Sequence, residues 1–197
     1  MNDQLKELCG DRFNPYIATP FSFELSGSWW NAAINGHGLI AIREGNGELH
    51  REYSPPVAKL FKADAHTHEV AFPELMKWLS ECSLTTRCDA CDGSGEHDCD
   101  CSHCDWSGEC EVCDGDGESP NVDPFFFETM QLDRCILARF LDPVADFAGP
   151  VMLFKAGDLD PIEFRTANWR VVIMPRKSGT EDNFPALPEG LIRKVAP

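Results

Sequence analysis

Apolar and polar positions alternate with period two through Phe21, Phe23 and Leu25, with Ser22 and Glu24 between them. That alternation predicts a half-buried strand. Trp29 to Ile34 forms a second strand-like run and Leu39 to Arg43 a third, with Asn35-Gly36 between them as a hairpin signal. Gly45, Asn46 and Gly47 mark a further turn. The period changes over Phe72 to Cys82, where Phe72, Leu75, Met76 and Leu79 follow helical spacing and Pro73 suits the first helical position. A short helix is also predicted over residues 3–9, with Asp3 as N-cap and Leu5, Leu8 and Cys9 on one face.

Beyond residue 120 the pattern resumes. Phe125-Phe126-Phe127 leads a predicted strand to about Met130, and Leu132 to Leu141 reads as a second helix of the frame, stopped by Asp142-Pro143. Three strands follow, Val151 to Lys155, Ile162 to Thr166 and Trp169 to Met174, with turns at Gly157-Asp158 and Ala167-Asn168. The tail from Lys177 is rich in Pro and Gly and is expected to pack loosely. Strands, helix, strand, helix, three strands is the order of an α+β fold with an antiparallel sheet and two short helices, not of alternating βαβ units.

Between the two halves the periodicity disappears and the text becomes CDACDGSGEHDCDCSHCDWSGECEVCDGDG. Cys88–Gly95 and Cys110–Gly117 each match Cys-x-x-Cys-x-Gly-x-Gly, and Cys101–Gly108 matches except for Trp106 at the first glycine. A Cys-x-x-Cys turn supplies two thiolates from one tight knuckle, and the glycines allow positive φ around a metal. Two such knuckles about eighteen residues apart have the spacing of a four-cysteine zinc site. Cys88, Cys91, Cys110 and Cys113 are therefore assigned to one Zn2+. Cys99, Cys101 and Cys104 with His97 or His103 can complete a second tetrahedron, so the chain is expected to hold one zinc ion or two. One zinc with spare reactive thiols, or another pairing of knuckles, remains open. The chain divides into a first half-frame at 1–84, a zinc module at 85–120 and a second half-frame at 121–197.

Composition sharpens this division. The chain of 197 residues has 43% hydrophobic side chains, enough for a buried core. Its net charge is −16, from 33 acidic and 17 basic residues. Fourteen of those acids, and no Lys or Arg, lie between Cys88 and Asp133, so the remainder, with 19 acidic and 17 basic residues, carries only −2. No apolar run approaches the roughly 20 residues of a membrane span. The charged N-terminus lacks the apolar core of a signal peptide. The expected location is the cytoplasm, with no membrane association. There ten cysteines point to metal ligation rather than disulfides.

The repeated Cys-x-x-Cys-x-Gly-x-Gly resembles the cysteine-rich domain of DnaJ-type co-chaperones. That resemblance implies the nesting of outer and inner zinc ligands given above. It covers about thirty residues, with three knuckles rather than four and no J-domain His-Pro-Asp. The frame resembles one domain of bacterial DNA polymerase III sliding clamps. Ala33-Ile34-Asn35-Gly36-His37-Gly38-Leu39 is similar to their Ala-Thr-Asp-Gly-His-Arg-Leu hairpin, with Asn35 for aspartate and Gly38 for arginine. His68 to Met76 is similar to the strand and helix that follow, and Ile162 to Arg176 to the last two strands. The resemblance implies a DNA-clamp-like frame interrupted by the zinc-knuckle module.

Three functions follow as expectations. The first is a non-enzymatic binding or adaptor protein whose zinc module meets a protein partner. The second is a DNA-associated replication or recombination accessory, touching nucleic acid only through the clamp-like frame. The third is a chaperone-like or thiol-redox activity of the module. His37 reads as a structural turn residue, and His66 and His68 as a pair with no third ligand near in sequence. No phosphate loop, nucleophile elbow or EF-hand spacing occurs.

Overall fold

In the computed structural model, which describes residues 2–10, 17–43, 49, 57–61, 68–98, 107–155, 157, 160–176 and 184–195, the chain opens with helix α1 (Asn2–Glu7), whose Leu5 is fully buried. Strands β1 (Phe21–Leu25), β2 (Ser28–Ile34) and β3 (Gly38–Arg43) then form an antiparallel meander. The β2–β3 turn falls at Asn35-Gly36. It closes through the Asn35 side chain, whose Oδ1 accepts from the His37 and Gly38 amides at 2.8 and 3.1 Å. After a 3-10 turn at Val57–Leu60 come β4 (His68–Val70) and α2 (Phe72–Ser80). Phe72, Leu75 and Leu79 are the buried face of that helix, as the period predicts.

The module follows, with β5 (Thr85–Arg87), β6 (Glu96–Asp98), β7 (Ser107–Glu109) and β8 (Glu118–Pro120). They pair as two short antiparallel ribbons, β5 with β8 and β6 with β7. The frame resumes with β9 (Pro124–Phe127), β10 (Met130–Asp133) and α3 (Arg134–Leu141), then a 3-10 turn at Asp142–Val144. Strands β11 (Val151–Phe154), β12 (Ile162–Arg165), β13 (Trp169–Ile173) and β14 (Ile192–Lys194) complete the chain. The order in the main sheet is β1-β2-β3-β13-β12-β11-β4-β14, antiparallel throughout. The α+β class with a large antiparallel sheet is thus the observed fold.

Both faces of the sheet are covered around β3 and β13, so these strands carry nearly continuous apolar runs. Ile40, Ile42, Val171 and Ile173 face Leu75, Leu79, Leu137 and Phe140 of the two helices. Leu39, Ala41 and Val172 face the other way, onto Phe21, Phe23, Trp30, Val57 and Phe61. The Phe140 ring of α3 packs over Gly38. A methyl there would lie 3.0 Å from both the Phe140 ring and the Val172 carbonyl, so any side chain at this position crowds α3 and β13.

Four expectations need correction. Asp3 is not an N-cap but lies inside α1, which ends at Glu7 rather than Cys9. The strand led by Phe125 does not reach Met130: the chain turns at Glu128, with φ 52°, and β9 pairs back onto β10. The helix starts at Arg134 rather than Leu132, because Asp133 is its N-cap and accepts from the Cys135 and Ile136 amides at 3.0 and 3.3 Å. The tail is not loose over 184–195. Its Leu187 amide donates to the Phe126 carbonyl at 2.7 Å, Leu191 is buried, and β14 pairs with β4. The turn predicted at 45–47, Asp158 of the turn predicted at Gly157-Asp158, and His66 lie outside the described residues.

Candidate metal centre

The two full knuckles fold alike, residue by residue. In each, the amide of the first glycine donates to the first cysteine's carbonyl: Gly93 to Cys88 at 3.0 Å and Gly115 to Cys110 at 3.2 Å. The next amide returns to the second cysteine: Ser94 to Cys91 and Asp116 to Cys113, both at 3.0 Å. The final glycine amide donates to sulfur, Gly95 to Cys91 Sγ at 3.3 Å and Gly117 to Cys113 Sγ at 3.2 Å. Asp92 and Asp114 take left-handed φ of 52° and 50°, a region that short polar side chains tolerate.

The knuckles also hold each other. Cys88 N–H donates to the Gly117 carbonyl at 2.9 Å and Cys110 N–H to the Gly95 carbonyl at 2.8 Å. Gly95 and Gly117 sit at φ 77° and 74°, back to back against the opposite knuckle. A methyl on Gly117 would lie 2.5 Å from the Gly93 carbonyl oxygen, and one on Gly95 would overlap the Gly115 carbonyl. The motif's last glycine is therefore required by its φ and by its neighbour.

This arrangement converges four sulfurs. Cys88, Cys91, Cys110 and Cys113 are all buried, and their Sγ atoms lie within 4.8 Å of one another. The Cys88–Cys110 and Cys91–Cys113 separations are 3.9 and 3.7 Å. Four sulfurs placed tetrahedrally at about 2.3 Å from one ion sit roughly 3.8 Å apart, so the set is sized to hold a metal ion. Among the described residues these cysteines form an apolar cluster by themselves, joined by no Leu, Ile, Val or aromatic side chain. A cluster of that size cannot fold the segment by hydrophobic burial.

The thiols titrate unequally. A hydrogen bond from Ser119 pulls Cys88 down to about 6, whereas burial pushes Cys113 up to about 12. Burial also pushes Cys91 up, but the Gly95 amide and the Cys113 and Cys110 thiols more than offset it. Ionising one sulfur raises the cost of ionising the next, and a bound dication relieves that cost. Ser119 was not legible as part of the site. It lies outside the repeat, and only the β5–β8 pairing brings it over Cys88.

Of the inner ligand candidates, His97 is exposed on β6. Cys99, Cys101, His103 and Cys104 lie outside the described residues. His68 is buried and faces Glu128 at 3.5 Å, so it belongs to the frame. His37 is exposed at the β2–β3 turn.

The root of the module is tied to the frame. Asn121 Nδ2 donates to the Ser83 carbonyl at 2.8 Å, and its backbone amide to Leu84 at 2.9 Å. Arg134 stacks on the Trp78 ring at 4.3 Å, donates to the Trp78 carbonyl, and meets Asp123 at 3.4 Å and Glu81 at 3.8 Å. One of the basic side chains that the frame's helices offer is thus already neutralised internally.

No protein-family profile matches the chain, and no curated protein matches it. Among solved structures it is similar to DNA polymerase III subunit beta from Borrelia burgdorferi, in a complex with a natural product. That match has 11% identity and TM-score 0.44, covering 81% of this chain and 56% of the other. It is also similar to Caulobacter crescentus pol III beta, with 11% identity and TM-score 0.46, covering 89% of this chain and 63% of the other. The chain spans less than two thirds of the length of either.

Proposed function

We propose that this chain is a zinc-binding, non-enzymatic binding protein whose module at 85–120 engages a protein partner through an acidic surface. The observation that carries the reading is the convergence of four buried sulfurs within 4.8 Å of one another, two of them accepting backbone N–H bonds. Cys88, Cys91, Cys110 and Cys113 would hold the ion. Four protein thiolates leave it no open position for substrate or water, so its role is structural. The DnaJ-like knuckle text supports zinc as the ion, and Cys99, Cys101, Cys104, His97 and His103 stand as ligands for a second.

The surface suggests the partner. The segment from Cys88 to Asp133 has fourteen acids and no Lys or Arg, and each zinc with four thiolates adds about two further negative charges. Val112, between two ligands on the second knuckle, is 64% exposed beside Glu111. An apolar tip in an acidic field suits a basic protein patch and repels a polyanion. Nucleic acid is left only the clamp-like frame, where Arg134 is engaged by Glu81 and Asp123. Thiol-redox chemistry is opposed by a site that consumes its thiolates in ligation. No helix among the described residues is long and apolar enough to cross a membrane. The reading places the protein in the cytoplasm, where reduced thiols persist.

Elemental analysis with thiol titration tests it. The expected result is one or two equivalents of zinc and matching protection of thiols from alkylation. Less than about half an equivalent, or iron in place of zinc, would sink the assignment.

A further inference from the structure

Outside the four-sulfur centre, two more cysteines meet. Cys82 follows the end of α2 and Cys135 lies in the first turn of α3. Their Sγ atoms are 2.7 Å apart. Small side-chain rotations suffice to bring them to the covalent separation of about 2.05 Å. Both thiols also point at the Ser83 carbonyl, at 3.5 and 3.4 Å. No metal-ligating His, Asp or Glu joins them in a described metal cluster. Two thiols held this close, in no described metal cluster, are within reach of a disulfide.

We propose that Cys82 and Cys135 are a redox-modification site, oxidised to a disulfide that staples α2 to α3 across the root of the zinc module. Cys82 is half-buried and meets solvent first, whereas Cys135 is 3% exposed. The oxidant is a low-molecular-weight disulfide, which a reducing cytoplasm supplies only under oxidative stress, so the pair is reduced at rest. The Cys82 thiol loses its proton, and its sulfur attacks one sulfur of the oxidant, forming a mixed disulfide and releasing one small thiol. Cys135 then loses its proton and attacks the Cys82 sulfur, displacing the second small thiol. The protein pair gives up two protons and two electrons, and the small disulfide becomes two thiols. Burial pushes Cys135 up to about 12 and raises Cys82 as well. Ionisation is therefore rare. The reaction is slow, but the disulfide it forms resists reduction, because a thiol of high pKa is a poor leaving group.

The staple differs from the zinc centre in kind. The centre holds the module's own knuckles together, whereas the staple joins the two half-frames that the module separates. It would keep the root closed whether or not zinc is present.

The sequence makes the test clean. Trypsin releases Cys82 alone in the peptide Trp78–Arg87 and Cys135 alone in Cys135–Arg139, while every module cysteine stays in one large fragment between them. Full-length, zinc-loaded protein is equilibrated with oxidised glutathione, alkylated and mapped by mass spectrometry. The expected result is a dominant linked pair of those two peptides, with the intact mass lowered by two hydrogens. In Cys135→Ala, Cys82 should stop at a stable glutathione adduct. In Cys82→Ser, the linked pair and the adduct should both vanish. The proposal is overturned if wild-type protein yields the Cys82 adduct without the linked pair, or links Cys82 chiefly to the module fragment. It is equally overturned if both peptides stay fully alkylated under oxidising conditions that modify an exposed thiol peptide. These readouts come from the Cys82 and Cys135 peptides alone and do not depend on which ion the module holds.

Discussion

Gly117 faces Gly93 of the opposite knuckle so closely that a Cβ on Gly117 would stand 2.5 Å from the Gly93 carbonyl oxygen. Gly117→Ala therefore meets two penalties, a left-handed φ costing about 1–3 kcal/mol and a backbone collision that parts the knuckles. Zinc affinity, measured by competition with a chromophoric chelator, should fall at least about tenfold, equivalent to roughly 1.4 kcal/mol. Gly27→Ala is the control. Its φ is 72° with open space around it, so it should lower frame stability by about 1 kcal/mol and leave zinc affinity alone. Unchanged zinc binding in Gly117→Ala would show that the knuckles do not need their interlock.

Chelation should unfold residues 85–120 and spare the frame. The module's apolar cluster is its four cysteines, whereas the frame buries Phe72, Phe140, Phe164 and Trp169 in a core of its own. Amide exchange after zinc removal should show protection lost at Gly95, Cys110 and Gly117 and retained through β3 and β13. Loss of protection in both regions together would make them one folding unit.

Asp133 serves two partners. One oxygen caps α3, and the other accepts from Arg176 at 2.8 Å. Asp133→Ala should cost about 1–2 kcal/mol through the lost cap alone. Asp133→Asn keeps an acceptor for the cap but puts an NH2 donor opposite Arg176, losing that hydrogen bond and the charge; Arg176 is 41% exposed and can turn to water instead. This substitution should cost under about 1 kcal/mol. Urea denaturation of zinc-loaded protein ranks the two; equal losses would mean that the ion pair, not the cap, dominates.

Stability should decline as pH falls. Burial depresses the His68 imidazole, against the opposing pull of Glu128. The unfolded chain therefore takes up a proton first, near the ordinary histidine value of about 6.5. The hydrogen bond from Lys155 depresses Glu128, adding a second loss below the ordinary glutamate value of about 4.3. His68→Gln should flatten the wild-type slope between pH 7.5 and 5.5 in melts of zinc-loaded protein, windows set by about 6.5 ± 1. An unaltered slope would show that His68 is not the group whose titration sets the acid sensitivity.

The elements that could be read from sequence are those whose signal is local. The α2 face repeats at helical spacing, β1 alternates, and the knuckle motif brings its four sulfurs together through backbone turns internal to each repeat. What escaped reading depends on distant partners. The β9–β10 turn is made by Glu128 in a left-handed conformation, with no glycine or asparagine to announce it. β14 exists because β4 presents an open edge, and nothing in Leu191-Ile192-Arg193 specifies that pairing. Cys82 and Cys135 are separated by the whole module in sequence, and only the packing of α2 against α3 brings them together.

The β5–β8 ribbon and the Asn121–Ser83 bond bring the chain out of the module beside the point where it went in. From the standpoint of the frame, the whole cysteine-rich segment is topologically a tight turn between α2 and β9. Such a port accepts cargo of any length, since loop-closure entropy grows only with the logarithm of what is inserted. A short turn spliced from Ser83 to Asn121 should leave the host sheet intact, and the excised cassette should be portable to any hairpin whose ends are equally close.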